Sequence, residues 1–517
     1  MPHRPRLFVK GGREQSRPAT LGYHYYSTGK VESIQSSNTN GVNVSYTYDG
    51  LNRLSTVVDN RLSSSNTTSY TYDNASNVVT VAYPNGVTST ITYDELNRIT
   101  ELSTSASGTQ IADYKYTLGL TGNRTNATEK SGRTLQWGYN GIYQLNNENI
   151  TGDPANNGSA TYTLDPVGNR TAATSTFSGF TPVFGSYNLN DQLSGETYDN
   201  NGNVTGTTNG NSYVYDSENH MIQMVKGTTT IGMKYDAFGN RVSKAVTTAG
   251  VTTTTQYLVD DLNPTGYTQV LDELTGPIGS AAVQRTYTYG LQRISQDQYV
   301  SNAWLLSYYQ YDGGGSVRQL TNSVGAVTDS YEYDAFGNSF TKQGTTPNNY
   351  LYRGEQYDSD FGLYYLRARY YNPATGRFLS RDPEEGKPTD PKTLHKYLYV
   401  GGNPIRFVDP LGKDAEEVGL STTKISLAAV VDLGAEVTVV GTAEITEGTA
   451  TFYVELIEGK MANPFSVINI FTSAATALGA SNLYIVASFA NEALQTIAIQ
   501  RYGFVTINGV EVWWSAL

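Results

Sequence analysis

Short runs in which polar residues alternate with aromatic or β-branched ones recur along most of the chain, as in Ser45-Tyr46-Thr47-Tyr48 and Ser69-Tyr70-Thr71-Tyr72. A period of two sends successive side chains to opposite faces, so each run predicts a strand with one packed and one wetter face. Each run ends in a unit of the form Tyr-Asp-x-x-x-Asn-x-φ, where φ is apolar. Good copies start at Tyr48, Tyr72, Tyr93, Tyr198, Tyr235, Tyr311 and Tyr333, with degenerate ones at Tyr116, Tyr139, Tyr162, Tyr187, Tyr215 and Tyr257. From Tyr48 to Tyr187 the spacing stays between 21 and 25 residues, the length of a strand, a tight turn and a returning strand.

The unit therefore predicts a β-hairpin. Asp accepts backbone N–H bonds at the turn, and Gly or Asn tolerates the left-handed conformation a tight hairpin needs. A following pair such as Arg53-Leu54 or Arg98-Ile99 restarts the strand. Tyrosines on one face are expected to stack on those of neighbouring units. A repeated hairpin also accounts for a length of 517 residues, too long for one ordinary core.

Composition sharpens this picture. There are 41 Tyr against 15 Phe, so most of the aromatic surface carries a hydroxyl, and the 51 Gly supply turns. The net charge of −12 and pI near 4.9 argue against nucleic acid as the main partner, because phosphate backbones are bound by clustered Lys and Arg. Without cysteine there is no disulfide, thiolate metal site or cysteine nucleophile, and no cofactor or metal is expected. Residues 1–20 carry basic side chains but no apolar run of signal-peptide length, and read as a disordered lead-in. No stretch reaches the roughly 18 apolar residues of a membrane span; the nearest, 465–489, is interrupted by Asn, Ser and Thr. A secreted or surface location then needs an export route not evident here, or the chain is a fragment of a longer one.

The most specific segment runs from Tyr352 to Gly412. It contains Gly362-Leu363-Tyr364-Tyr365, Arg369-Tyr370-Tyr371-Asn372-Pro373, Gly376-Arg377-Phe378, Asp382-Pro383, Asn403-Pro404 and Asp409-Pro410-Leu411-Gly412. With the Tyr-Asp units, these pieces resemble the Rhs and YD-repeat family, which includes the C component of insecticidal toxin complexes and the teneurin shell. The resemblance covers roughly residues 20–412. It implies a mainly β fold, a spirally wound shell of β-hairpins closed by a repeat-associated core; the residue pattern after Gly412 adds a small C-terminal α+β domain. The corresponding domains are 1–20 lead-in, 21–345 repeats, 346–412 core and 413–517 variable domain.

In toxin-bearing relatives the core is an intramolecular aspartyl protease that cuts after a final DPxGL motif and leaves the released piece inside the shell. The resemblance carries Arg381 and Asp382 onto the family's Arg-Asp pair, with Asp390 as the nearest second carboxylate. The cut is expected at Gly412-Lys413, after Asp409, Pro410 and Leu411. Two carboxylates sharing a proton can activate water and polarise a carbonyl, with Arg381 keeping one ionised. Two departures stand against it: Asp382-Pro383 continues Glu384-Glu385-Gly386, and Lys413 stands where the family has Leu. The structural alternative makes each Asp-Pro a hydrogen-bonded corner and Arg381 an ordinary ion-pair partner.

After Gly412 the Tyr content falls and Ala, Val and Ile rise. Strands are expected at 435–440 and 450–455, helices at 464–478 and 491–501, and a closing hairpin around Asn508-Gly509. Residues 413–517 hold no His or Cys, and only Lys413, Lys424, Lys460 and Arg501 are basic against eleven acidic residues. That excludes His-based nucleases and zinc deaminases and disfavours nucleic-acid cleavage. Glu444, Glu447, Glu455, Glu458 and Glu492 are carboxylates at strand or helix surfaces rather than an evident active site.

Two functions fit this reading. One is a shell that encloses or presents its own C-terminal domain as cargo, with an immunity protein as a further partner. The other is a non-enzymatic surface or wall-associated protein binding carbohydrate through its Tyr-rich repeats, since aromatic and amide groups suit sugar faces.

Overall fold

Asp49 shows how one hairpin is made. Its Oδ1 accepts the N–H groups of Leu51 and Arg53, both at 2.9 Å, and its Oδ2 takes Arg53 Nε at 2.7 Å. Asn52 closes the loop at φ 59°. This is a three-residue hairpin loop ending in a left-handed residue, which inserts one extra residue before the strand restarts. The pairing register accordingly slips between Thr47 and Tyr48. The same bonds recur at Asp94, Asp236 and Asp334.

The computed structural model describes residues 19–64, 66–178, 180, 182–276, 280–386, 391–413, 415–417, 438–446, 449–458, 482–487, 505–507 and 510–516. The chain forms two compact units, one of Val31–Leu420 with Met1–His24, the other of Ser421–Leu517 with Tyr25–Lys30. Among the described residues no helix is long and apolar enough to cross a membrane.

The larger unit contains two fourteen-stranded antiparallel sheets, running in sequence order from Leu21–Tyr25 to Arg170–Ser175 and from Thr197–Tyr198 to Ser339–Gln343. Because every strand pairs with its sequence neighbours, the Tyr-Asp turns all fall on the same rim of each sheet. Along that rim neighbouring turns are joined: Arg53 Nη1 donates to Ser76 Oγ at 3.1 Å, and Asn77 Nδ2 to Asn97 Oδ1 at 2.8 Å.

The tyrosine of each unit has a recurring use beyond ring stacking. Tyr72 Oη donates to the Leu54 carbonyl at 2.6 Å, Tyr93 to Val78 at 2.9 Å, Tyr235 to Met221 at 2.7 Å and Tyr333 to Val317 at 2.9 Å. Each hydroxyl stitches its hairpin to the start of the returning strand in the hairpin before, which is why tyrosine rather than phenylalanine fills the position. Tyrosine ring pairs also occur where the second sheet meets the core motif, as in Tyr333 with Tyr352 at 5.9 Å and Tyr287 with Tyr350 at 5.1 Å.

The core motif crosses the turns of both sheets. Asn403 Nδ2 donates to Asn123 Oδ1 at 2.8 Å, His395 Nε2 lies 2.9 Å from Asn169 Oδ1, and Tyr397 Oη donates to the Gly202 carbonyl at 2.8 Å. Its four-stranded sheet (Gln356–Asp358, Leu363–Leu366, Arg369–Asn372, Arg377–Phe378) packs Phe361, Leu363, Tyr365 and Tyr370 against Met221, Met224, Ile231 and Met233 of the second sheet. Asp358 is buried there between Arg241 and Lys244, each at 2.6 Å. Against the burial that would raise it, those cations hold its carboxyl down to about 2.

The two large sheets also meet through a carboxyl. Glu148, with no exposed surface, takes Trp137 Nε1 at 3.1 Å from its own sheet and the Ala335 N–H at 2.9 Å from the other. Burial and the neighbouring Asp334 carboxylate push it up to about 8.

In the smaller unit, strands Thr438–Thr446 and Thr449–Glu458 pair antiparallel, as do Val505–Ile507 and Val510–Ala516, in agreement with the expected strands and closing hairpin. Asn482–Ala487 joins them by pairing parallel to both Thr449–Glu458 and Val510–Ala516. The helices expected at 464–478 and 491–501 lie outside the described residues, as does most of the 1–20 lead-in.

Candidate active site

The expected cut lies just after Phe407–Val408, a short strand that pairs antiparallel with Glu416–Glu417. Behind it stands Arg369, first residue of its strand, 4% exposed and lying over the Phe378 ring with its guanidinium carbon 3.6 Å from the centroid. The planar fork suits several acceptors at once, and besides the Lys396 carbonyl at 3.4 Å it holds three groups of this site. Nη1 meets Asp382 Oδ2 at 2.8 Å, Nη2 meets Asp409 Oδ2 at 3.3 Å, and Nε donates to the Gly412 carbonyl at 2.5 Å.

The other end of the same peptide is held too. The Lys413 N–H donates to Asp409 Oδ1 at 2.9 Å. Gly412 adopts φ +67°, and a Cβ there would stand 2.3 Å from the Leu366 carbonyl oxygen, so only glycine brings the chain this close. Upstream, the Ala368 N–H donates to the Leu411 carbonyl at 3.2 Å, and Arg367, paired with Glu355 at 3.0 Å, donates to the Pro410 carbonyl.

Asp382 is fixed by its backbone N–H to the Lys396 carbonyl at 2.8 Å and by accepting the Glu384 N–H at 2.9 Å, a turn of the kind Asp-Pro favours. Burial raises its carboxyl above the ordinary range, with Arg369 opposing. Arg369 is lowered by its own burial, with Asp382 and Asp409 opposing.

The cation beside Asp382 is thus Arg369. Arg381 is exposed and lies against Gly202, its Cβ 3.4 Å from where a Gly202 Cβ would sit. Asp390 lies outside the described residues; within them the second carboxylate on Arg369 is Asp409. Sequence reasoning passed over Arg369 because its partners are 13, 40 and 43 residues away; the only signal was its position in the Arg-Tyr-Tyr motif. A buried carboxylate, Asp409, and a half-buried one, Asp382, share a guanidinium that also meets a peptide carbonyl, which supplies the elements of acid–base hydrolysis.

The family model for the teneurin YD-shell matches residues 10–148. The Photorhabdus luminescens Tc holotoxin pore superimposes over 77% of this chain with a TM-score of 0.64 at 19% identity, covering 22% of that chain. Residues 10–148 are thus similar in sequence to a YD-repeat shell, and the fold is the one seen in the Tc holotoxin pore structure. Among curated relatives, this chain is 34% identical over 263 residues to the tRNA nuclease WapA of Bacillus subtilis strain 168, and 34% identical over 271 residues to the tRNA3(Ser)-specific nuclease WapA of Bacillus spizizenii. Each alignment covers 48% of this chain and 11% of the relative, so this chain matches about a tenth of those proteins' length.

Proposed function

We propose that the YD repeats (21–345) and core (346–412) serve as a shell for a toxic cargo, that residues 413–517 are that cargo, and that the core frees it by cutting at Gly412-Lys413. The observation that carries this reading is the grip on that one peptide: Arg369 on its carbonyl, Asp409 on its N–H, and Asp382 on the same guanidinium. In the proposed step Asp382 takes a proton from water as the water oxygen bonds to the Gly412 carbonyl carbon. The bond to the Lys413 nitrogen then breaks as that nitrogen receives the proton, leaving a Gly412 carboxylic acid and a Lys413 amine, and the acid's proton, the second from water, passes to the amine.

Likeness to WapA nucleases and to the Tc holotoxin pore supports a toxin setting and delivery outside the producing cell. A protective inhibitor is the partner such a cargo calls for. The cargo here is not expected to be a nuclease, because four basic residues face eleven acidic ones. The carbohydrate reading leaned on tyrosine content, and Tyr72, Tyr93, Tyr235 and Tyr333 direct their hydroxyls to their own backbone.

Intact mass and denaturing gels of the full chain beside Asp382→Asn test the cleavage. The wild type should give pieces of about 45 and about 11 kDa, apportioned by residue number from 56.3 kDa, and the variant one band. A wild type that stays whole rejects self-cleavage and leaves the shell role alone.

A further inference from the structure

We propose that Arg369 is the electrophile of this site, the group that binds the Gly412 carbonyl oxygen as it takes on negative charge, a role that rests on the cleavage reading above. Three features carry it. Arg369 is the side chain whose N–H reaches that oxygen, at 2.5 Å, so it is in contact before any chemistry begins. Its other two nitrogens are tied to Asp382 and Asp409 and its face to Phe378, which leaves the guanidinium little freedom to turn away. It is buried, and a fixed donor in a dry site stabilises developing charge far better than one in water.

The geometry also separates the roles of the three groups. When water adds to the Gly412 carbon, the carbonyl electron pair moves onto the oxygen, where Arg369 Nε–H meets it; no proton is transferred to that oxygen. The proton from water goes to Asp382, then to the Lys413 nitrogen as the C–N bond breaks and the carbonyl re-forms. Asp409 holds the Lys413 N–H and aligns the leaving group. Arg369 thus needs no change of protonation state, which suits a side chain that stays cationic in proteins.

The test is single-turnover cleavage of the full chain after refolding from denaturant, with near-UV circular dichroism of its tyrosines as the measure of native packing. Loss of an oxyanion donor typically costs about 100- to 1,000-fold in rate. Arg369→Gln with native dichroism should be slower by that factor, and Arg369→Lys should recover roughly tenfold or more of it. Arg369→Gln also removes the cation that holds the Asp382 carboxyl down, so the acidic limb of its rate profile should move to higher pH, a shift that a merely structural role does not produce. Native-packed Gln and Lys variants that cut within about threefold of wild type would overturn the role of Arg369 while leaving self-cleavage standing. If Arg369→Gln does not pack, the Lys variant decides: a natively packed Lys variant that cuts within about threefold of wild type rejects the proposal, and one slowed by roughly tenfold or more supports it. A wild type that never cuts rejects both readings together.

Discussion

Replacing Glu148 by Gln should make the larger unit less sensitive to alkaline pH. Glu148 is fully buried where the two large sheets meet, and burial together with Asp334 holds its carboxyl up to about 8, against an ordinary 4.5. A carboxyl raised on folding contributes stability that is fully present below its unfolded value and is lost as pH rises through its folded value. At about 1.4 kcal/mol per pH unit of imbalance, moving from pH 6.5 to 8.5 should cost the wild type about 2 kcal/mol, order of magnitude. With an unfolding entropy of about 2.1 cal/mol/K per residue over the larger unit, that is a fall of about 2–3 °C in melting temperature. Gln cannot ionise, so this part of the slope should vanish. Its amide nitrogen would face either the Trp137 or the Ala335 N–H, and so it lowers the whole curve by about 1–3 kcal/mol at every pH. The assay is thermal unfolding of both proteins at several pH values in that range. Parallel curves, the variant merely displaced downward, would refute a titrating Glu148.

Two further outcomes follow from other buried groups. Tyr311→Phe removes the hydroxyl that donates to the Arg293 carbonyl at 2.7 Å and should cost about 1–3 kcal/mol in urea unfolding, whereas Tyr299→Phe, at a 41% exposed residue, should be close to neutral. His395 is held down to about 4 by burial and by nearby Arg377, and its Nδ1 accepts the N–H groups of Tyr397 and Leu398 at 3.2 and 3.0 Å. A depressed imidazole contributes stability that is present above its unfolded value of 6.5 and is lost as pH falls, so about 2 kcal/mol should disappear between pH 6.5 and 4.5; His395→Asn should lessen that acid slope, read by unfolding at the two pH values.

The turns were legible in the sequence because their chemistry is local: Asp49 and the two N–H groups it caps lie within five residues, and Asn52 or Gly337 marks the left-handed position. The strands followed from alternation for the same reason. The tyrosine stitches were not legible, because the acceptor is a backbone carbonyl 14 or more residues away and any residue supplies one. The candidate site was half legible. Asp382 and the 409–413 segment were named from the motif, and the resemblance to the Rhs core brought in Arg381 as the cation. In space that place belongs to Arg369, which reaches back from another strand. In the smaller unit the four antiparallel strands could be read from their pattern, but the strand Asn482–Ala487 was not named, and its parallel pairing depends on contacts between segments far apart in sequence, which no local pattern encodes.

The direction of the stitches bears on how the chain is made. The hydroxyls of Tyr72, Tyr93, Tyr235 and Tyr333 all point back to the preceding hairpin, so a hairpin leaving the ribosome finds its acceptor already folded and needs nothing from residues still to be synthesised. Assembly can then keep pace with translation, hairpin by hairpin, with only short loops to close. The segment from Tyr397 to Asn403 is different: its hooks at Gly202 and Asn123 lie 195 and 280 residues upstream, so it can engage only a nearly finished sheet. In the proposed self-cleaving protein that timing is protective, since the Gly412-Lys413 peptide is not gripped until the walls around it have been built.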